Sequence, residues 1–117
     1  MPFKFEQLQV WQLALELIDK VNTMCKSFPK DELFILTSQM ERAADSVSLN
    51  IAEGSTGQSN QEFNRFLGYA LRSAIEVVSC LYLSKSRKYI TEIEFKELYD
   101  FIDSLCRKLQ ALRNTLK

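Results

Sequence analysis

The stretch Ser38-Gln39-Met40-Glu41-Arg42-Ala43-Ala44-Asp45-Ser46-Val47-Ser48-Leu49-Asn50-Ile51-Ala52-Glu53-Gly54 carries two stripes when read at 3.6 residues per turn. Leu36, Met40, Ala43, Val47 and Ile51 form an apolar stripe, and Gln39, Arg42, Ser46, Asn50 and Glu53 form a polar stripe beside it. Beyond the polar stripe, Ile35 and Leu49 are apolar again. A simple surface helix has one apolar face and one wet face. A polar row flanked on both sides by apolar residues predicts a helix that packs twice, once in its own core and once against something else.

Outward from this segment the chain divides into four helical runs. The first is expected from about Phe5 to Lys26, with Val10, Trp11, Leu13, Ala14, Leu17, Ile18, Val21 and Met24 on its apolar face. Ser27-Phe28-Pro29-Lys30 ends it, because the residue before proline is pushed out of the helical region. The second run extends from about Asp31 to Glu53 and stops at Gly54-Ser55-Thr56-Gly57-Gln58, where glycine can adopt positive φ. The third opens with the capping box Ser59-Asn60-Gln61-Glu62 and continues to about Lys88; the fourth opens with Thr91-Glu92-Ile93-Glu94. The third has an unusually wide apolar arc: Phe63, Phe66, Leu67, Ala70, Leu71, Ala74, Val77, Val78, Leu81 and Tyr82, with Ile75 further round. Acids crowd the start of the fourth run and bases its end, as the helix dipole favours. The runs are roughly 22–30 residues, or about 33–45 Å, long. Short joins between them predict an all-α, up-down-up-down antiparallel four-helix bundle formed by residues 1–117 as a single domain.

Composition narrows the chemistry. The 117 residues hold 15 basic and 15 acidic side chains, so no strong global attraction to polyanions is expected. There is no histidine, which removes the usual general base, metal ligand and pH switch. Cys25, Cys80 and Cys106 are widely spaced and match neither a zinc site nor a redox pair, so they read as free buried thiols in a reducing compartment. The N-terminus lacks the order of a signal peptide, and no run of about eighteen apolar residues interrupts the chain. The expectation is a cytoplasmic protein without membrane contact, cofactor, metal or catalytic residue.

Two constellations remain. The first is Gln39, Arg42, Ser46, Asn50 and Glu53 on the second helix with Tyr69, Ser73 and Glu76 on the third. It reads as a hydrogen-bond network fixing helix register, either within the bundle or at a subunit contact. The same groups could instead contact a ligand or nucleic acid. Glu53 and Glu76 form a carboxylate pair, but no nucleophile or oxyanion donor accompanies them. The second constellation is basic: Lys4, Arg65, Lys108, Arg113 and Lys117 are expected at the end holding the chain termini, and Lys26, Lys30, Lys85, Arg87 and Lys88 at the other. Each set is either a solvated surface or, repeated around an oligomer, a ring of positive charge able to hold phosphates. Trp11, Phe63 and Phe66 sit at helical spacing on apolar faces and read as core.

The motif string resembles a known family. It runs Phe5-x-x-Leu8-x-Val10-Trp11-x-x-Ala14, then Phe28-Pro29-Lys30-x-Glu32, then Leu36-Thr37-Ser38-Gln39-x-x-Arg42-Ala43-Ala44-x-Ser46-Val47. Asn50-Ile51-Ala52-Glu53-Gly54 follows, then Glu62-Phe63-x-Arg65-Phe66-Leu67 and Ala70-x-x-Ser73-x-x-Glu76. This order is similar to that of the small four-helix proteins encoded by intervening sequences in bacterial 23S ribosomal RNA genes, a group that includes the accessory variability proteins of diversity-generating retroelements. Arg72 stands where that family often has glycine. The resemblance implies a homopentamer, with five bundles around a central channel, and structured RNA or a nucleoprotein as partner. The neutral charge favours the alternative, a protein-interaction scaffold with no nucleic-acid role, while the motif string favours the RNA-linked reading.

Overall fold

The computed structural model describes residues 2–57 and 59–117, and among these it contains four α-helices and no strand. The helices are α1 (Gln9–Cys25), α2 (Ser38–Ser55), α3 (Asn60–Ser86) and α4 (Glu92–Asn114). Helix α1 packs on α2 and α4, and α3 packs on the same two helices, so the whole measures 43 × 22 × 22 Å. One cluster of buried side chains runs through it: Leu17 and Val21 of α1, Met40, Val47 and Ile51 of α2, Leu67, Val77 and Leu81 of α3, and Ile102, Leu105 and Leu109 of α4. These are the residues that the 3.6-residue period places inward.

The helix starts differ from the pattern-based expectation in two places, each with a local cause. The first α-helix does not begin at Phe5. Residues Lys4–Gln7 form a 3₁₀ turn and Leu8 is extended (φ −79°, ψ 124°) before α1 starts. Side-chain bonds hold this kink: the Glu6 carboxylate accepts from the Phe3 amide at 3.0 Å, and the Gln12 amide donates to the Glu6 carbonyl at 2.9 Å. The Phe5 ring then meets Trp11 edge-on at 4.8 Å.

The second run is not uniform either. It opens with a 3₁₀ turn (Lys30–Glu32), widens to a π-helical turn (Leu33–Thr37), and becomes α-helical only at Ser38. The anchor is Glu32, a buried carboxylate whose Oε2 accepts from Arg87 Nη1 at 2.9 Å and from the Tyr89 hydroxyl at 2.6 Å. With Glu32 tied down on one side and Leu36 and Thr37 buried on the other, the intervening turn takes up an extra residue, as a π turn does. Phe34 and Ile35 are left pointing outward.

Glycine acts otherwise than expected. No described glycine has positive φ; the left-handed position is Lys88, at φ 64°. There the Tyr89 amide donates to the Ser84 carbonyl and the Lys88 amide to the Lys85 carbonyl, a Schellman closure that ends α3 at Ser86. Gly54 lies inside α2 and is needed for close approach. A Cβ there would stand 2.6 Å from Phe66 Cβ and 3.1 Å from Phe63 Cδ1. Of the two expected capping boxes, Thr91 and Glu94 form both bonds of theirs. At α3 the Glu62 amide donates to Ser59 Oγ at 3.1 Å, while the Glu62 carboxylate turns toward Gly57.

Two outcomes follow from these contacts. In an open helix, Gly→Ala gains about 0.5–1 kcal/mol, whereas Gly54→Ala should lose roughly 1–3 kcal/mol because the methyl meets the backbone-fixed Cβ of Phe66. Urea unfolding checks the sign, and a raised midpoint would mean that α2 and α3 have room to spare. Glu32 is held below the usual carboxylate range, first by the Tyr89 hydroxyl and then by the Arg87 charge. A depressed folded pKa adds stability above the unfolded value and loses it as pH falls through the folded one. Glu32→Gln should therefore lower the melting temperature at about pH 7, and the gap from the unmodified protein should close in acid; a gap independent of pH would contradict this role.

Candidate functional site

The closest seam in the molecule is that between α2 and α3, and the polar stripe lies along its outer edge. At one end of the seam Gly54 receives Phe66, whose ring is met edge-on by Tyr69 at 5.5 Å and covered by the Arg65 guanidinium at 5.6 Å. In the middle, Asn50 Nδ2 donates to the Ser46 carbonyl at 2.8 Å and to Ser46 Oγ at 3.0 Å, and Ser73 Oγ lies 3.0 Å from Ser46 Oγ. This ladder crosses from α2 to α3 through two hydroxyls. At the far end, Gln39 Nε2 donates to Glu76 Oε2 at 3.4 Å.

Of the residues expected in this constellation, Gln39, Ser46, Asn50, Ser73 and Glu76 are joined by hydrogen bonds. Arg42 lines the same groove, of about 600 Å³, with Phe34, Ile35, Ser38, Gln39, Ala43, Ser46 and Glu76. The Glu53 and Tyr69 side chains make no hydrogen bond to the ladder among the described residues; the Glu53 carbonyl accepts from the Thr56 hydroxyl, and Tyr69 packs on Phe66. Chemically the groove offers one cation (Arg42), one anion (Glu76), an amide (Gln39) and the hydroxyls of Ser38 and Ser46, the latter already bonded to Asn50 and Ser73.

The basic residues near the chain ends are largely engaged. The Lys4 ammonium sits 5.1 Å from the centre of the Phe63 ring. Arg113 Nε donates to Asn64 Oδ1 at 2.6 Å, and its guanidinium lies across Gly68, where a Cβ would come within 3.4 Å. Lys4, Arg65 and Arg113 thus each contact a residue in the first turns of α3. Lys108 lies by Leu8, Gln9, Val10 and Leu112 in a shallow groove, and Lys117 is exposed. At the opposite end, Lys85 pairs with Glu92 at 3.1 Å and stacks on Phe95, and Arg87 is taken up by Glu32.

Pattern reading missed the Glu32–Arg87–Tyr89 clasp. Its only trace was the Phe28-Pro29-Lys30-x-Glu32 string, which says nothing of residues more than fifty positions away. The thiols are protonated at neutral pH. Burial pushes Cys25 up to about 12, with Glu41 adding to the rise, and burial also raises Cys80 and Cys106. Cys25 and Cys80 are buried as expected, while Cys106 is only half-buried. No group of three potential metal ligands occurs among the described residues.

Phe63 is inside the core and Trp11 is half-buried against it, while Phe66 is half-buried with Tyr69 and the Arg65 guanidinium against its ring. The apolar surface lies elsewhere. By length and composition α3 is apolar enough to cross a membrane, yet only 33% of its most apolar stretch is buried.

Comparison with solved structures gives a crystal structure from Bacteroides thetaiotaomicron VPI-5482, described as a protein of unknown function from the S23 ribosomal protein family. It superposes with a TM-score of 0.80 at 24% identity, covering 87% of this chain and 95% of that one, and so supports a shared fold. No curated protein matches. The family model for 23S rRNA-intervening sequence proteins matches residues 6–111, and the chain belongs to that family.

Proposed function

We propose that this protein is a non-enzymatic, self-assembling subunit whose four helices run antiparallel, up-down-up-down, and whose assembled form binds structured RNA or a nucleoprotein in the cytoplasm. Five copies around a central channel is the assembly that the family resemblance implies. The observation that carries the reading is the set of large apolar side chains that α3 leaves exposed in the single subunit. Exposed Ile75, Tyr82 and Leu83 belong to it. A bilayer is a poor cover for this surface. Phe63, Leu67, Ala70, Ala74, Val77, Cys80 and Leu81 of the same helix are core residues, and withdrawing them into lipid would unfold the domain. A further protein surface covers α3 without that loss.

Support for RNA comes from the family description and from arithmetic. One neutral chain attracts phosphate weakly, but Lys4, Arg65 and Arg113 at the start of α3, repeated around a ring, would sum to a multivalent set of cations. The rival reading is a protein scaffold. It is favoured by the zero net charge of the chain and by the ion pairs that take up Lys85 and Arg87.

Fluorescence anisotropy with a structured RNA separates the two. Binding by the unmodified protein should be clear at about 50 mM salt and fall by more than about tenfold at 200 mM, as expected when several phosphate contacts release counterions. Ile75→Glu, which alters an exposed residue and places charge on the unburied face, should lose binding together with assembly. Absence of binding at low salt would leave the scaffold reading in its place.

A further inference from the structure

Two loops meet at one end of the molecule, residues 26–37 between α1 and α2 and residues 87–91 between α3 and α4. Among the described residues no backbone hydrogen bond connects them. Their polar bonds to each other converge on a single atom, Glu32 Oε2, which takes both the Arg87 guanidinium and the Tyr89 hydroxyl. Beside it the Phe28 ring rests on Tyr89 at 5.4 Å, and buried Ile90 completes the seal. Both loops are built from backbone that the helices avoid: a 3₁₀ turn, a π turn, and Lys88 at φ 64°, which costs a residue with a Cβ. Segments with few interlocking contacts open locally before packed helices do.

Two thiols lie behind this end. The Phe28 amide donates to the Cys25 carbonyl at 3.0 Å, and the Phe28 ring packs on Tyr89. The Tyr89 amide donates to the Ser84 carbonyl at 2.9 Å, and Ser84 Oγ donates to the Cys80 carbonyl at 2.8 Å. A line of contacts thus runs from Cys25 through the clasp to Cys80. Cys25 is 7% exposed and Cys80 1%, and burial keeps both protonated and therefore unreactive.

We propose that the Glu32–Arg87–Tyr89 clasp is a latch on this end of the bundle. Closed, it seals the two loops over Cys25 and Cys80. When it breaks, residues 26–37 and 87–91 move away as one unit while the four helices stay packed. That opening releases the π turn bearing Phe34 and Ile35 and uncovers both thiols. Because one carboxylate oxygen holds both partners, the loops open together and not in turn.

Alkylation by iodoacetamide, followed for each cysteine by peptide mass spectrometry, tests this on the intact chain. Cys106 is half-buried and lies about 21 Å along α4 from Glu92, so it serves as the internal standard. In the unmodified protein the Cys25 and Cys80 rates should stay nearly constant as urea is raised below the unfolding transition, because a small opening exposes little surface. Glu32→Gln should speed both thiols by a similar factor, about tenfold or more, as expected when a bond to a charged group is lost. Leu109→Ala removes a fully buried side chain of α4 that belongs to the core. It should lower the urea midpoint and leave both rates unchanged, since the core is intact in the opened form. Rates that climb with urea as steeply as unfolding itself, or that rise in Leu109→Ala, would show that the thiols are reached only by global unfolding and would overturn the latch. It is overturned equally if Glu32→Gln leaves both rates unchanged or speeds one thiol without the other.

Discussion

The close approach of α2 and α3 at Gly54 is the constraint on which the rest of the molecule depends. Phe66 Cβ occupies the place of the side chain that position 54 lacks. Because the helices meet there, the Ser46, Asn50 and Ser73 side chains come within hydrogen-bond distance two turns along, and Gln39 reaches Glu76 beyond them. The seam also sets what remains outside. With one flank of α3 closed against α2 and its inner face in the core, Ile75 and Tyr82 are left on the open side. A wider seam would let α3 rotate and would break the ladder and the outer faces together.

The second fixed point is the Glu32 clasp. It joins the turn before α2 to the turn after α3, which otherwise would be two independent loops at the same end of the molecule. A buried carboxylate is costly unless its lone pairs are met, and here a guanidinium and a phenol meet one oxygen. The π turn that follows is the geometric consequence, and through it the exposure of Phe34 is coupled to a bond network near Arg87.

Helix number and the inward residues were legible because burial recurs every three or four residues and leaves a periodic trace. The features that were not legible are the ones set by partners distant in sequence. The Leu8 kink depends on Glu6 meeting Gln12, and the π turn on Glu32 meeting residues 55 and 57 positions away. Gly54 looked like a helix stop because it precedes a turn, yet its role is decided by a phenylalanine on another helix. The left-handed turn residue is a lysine, which no composition rule selects. In the polar stripe, spacing put Glu53 and Tyr69 beside the ladder residues; only the helix packing separates those that bond from those that do not.

A chain with 15 basic and 15 acidic side chains carries no net attraction for RNA, so a nucleic-acid role would rest on local patches repeated by assembly. Assembly is therefore the central claim, and native mass spectrometry of the unmodified protein tests it most directly. The account predicts a dominant species at five times the 13.6 kDa subunit mass that persists on dilution to low micromolar concentration. A stable monomer at the same concentration would contradict it, and with it the ring of basic ends.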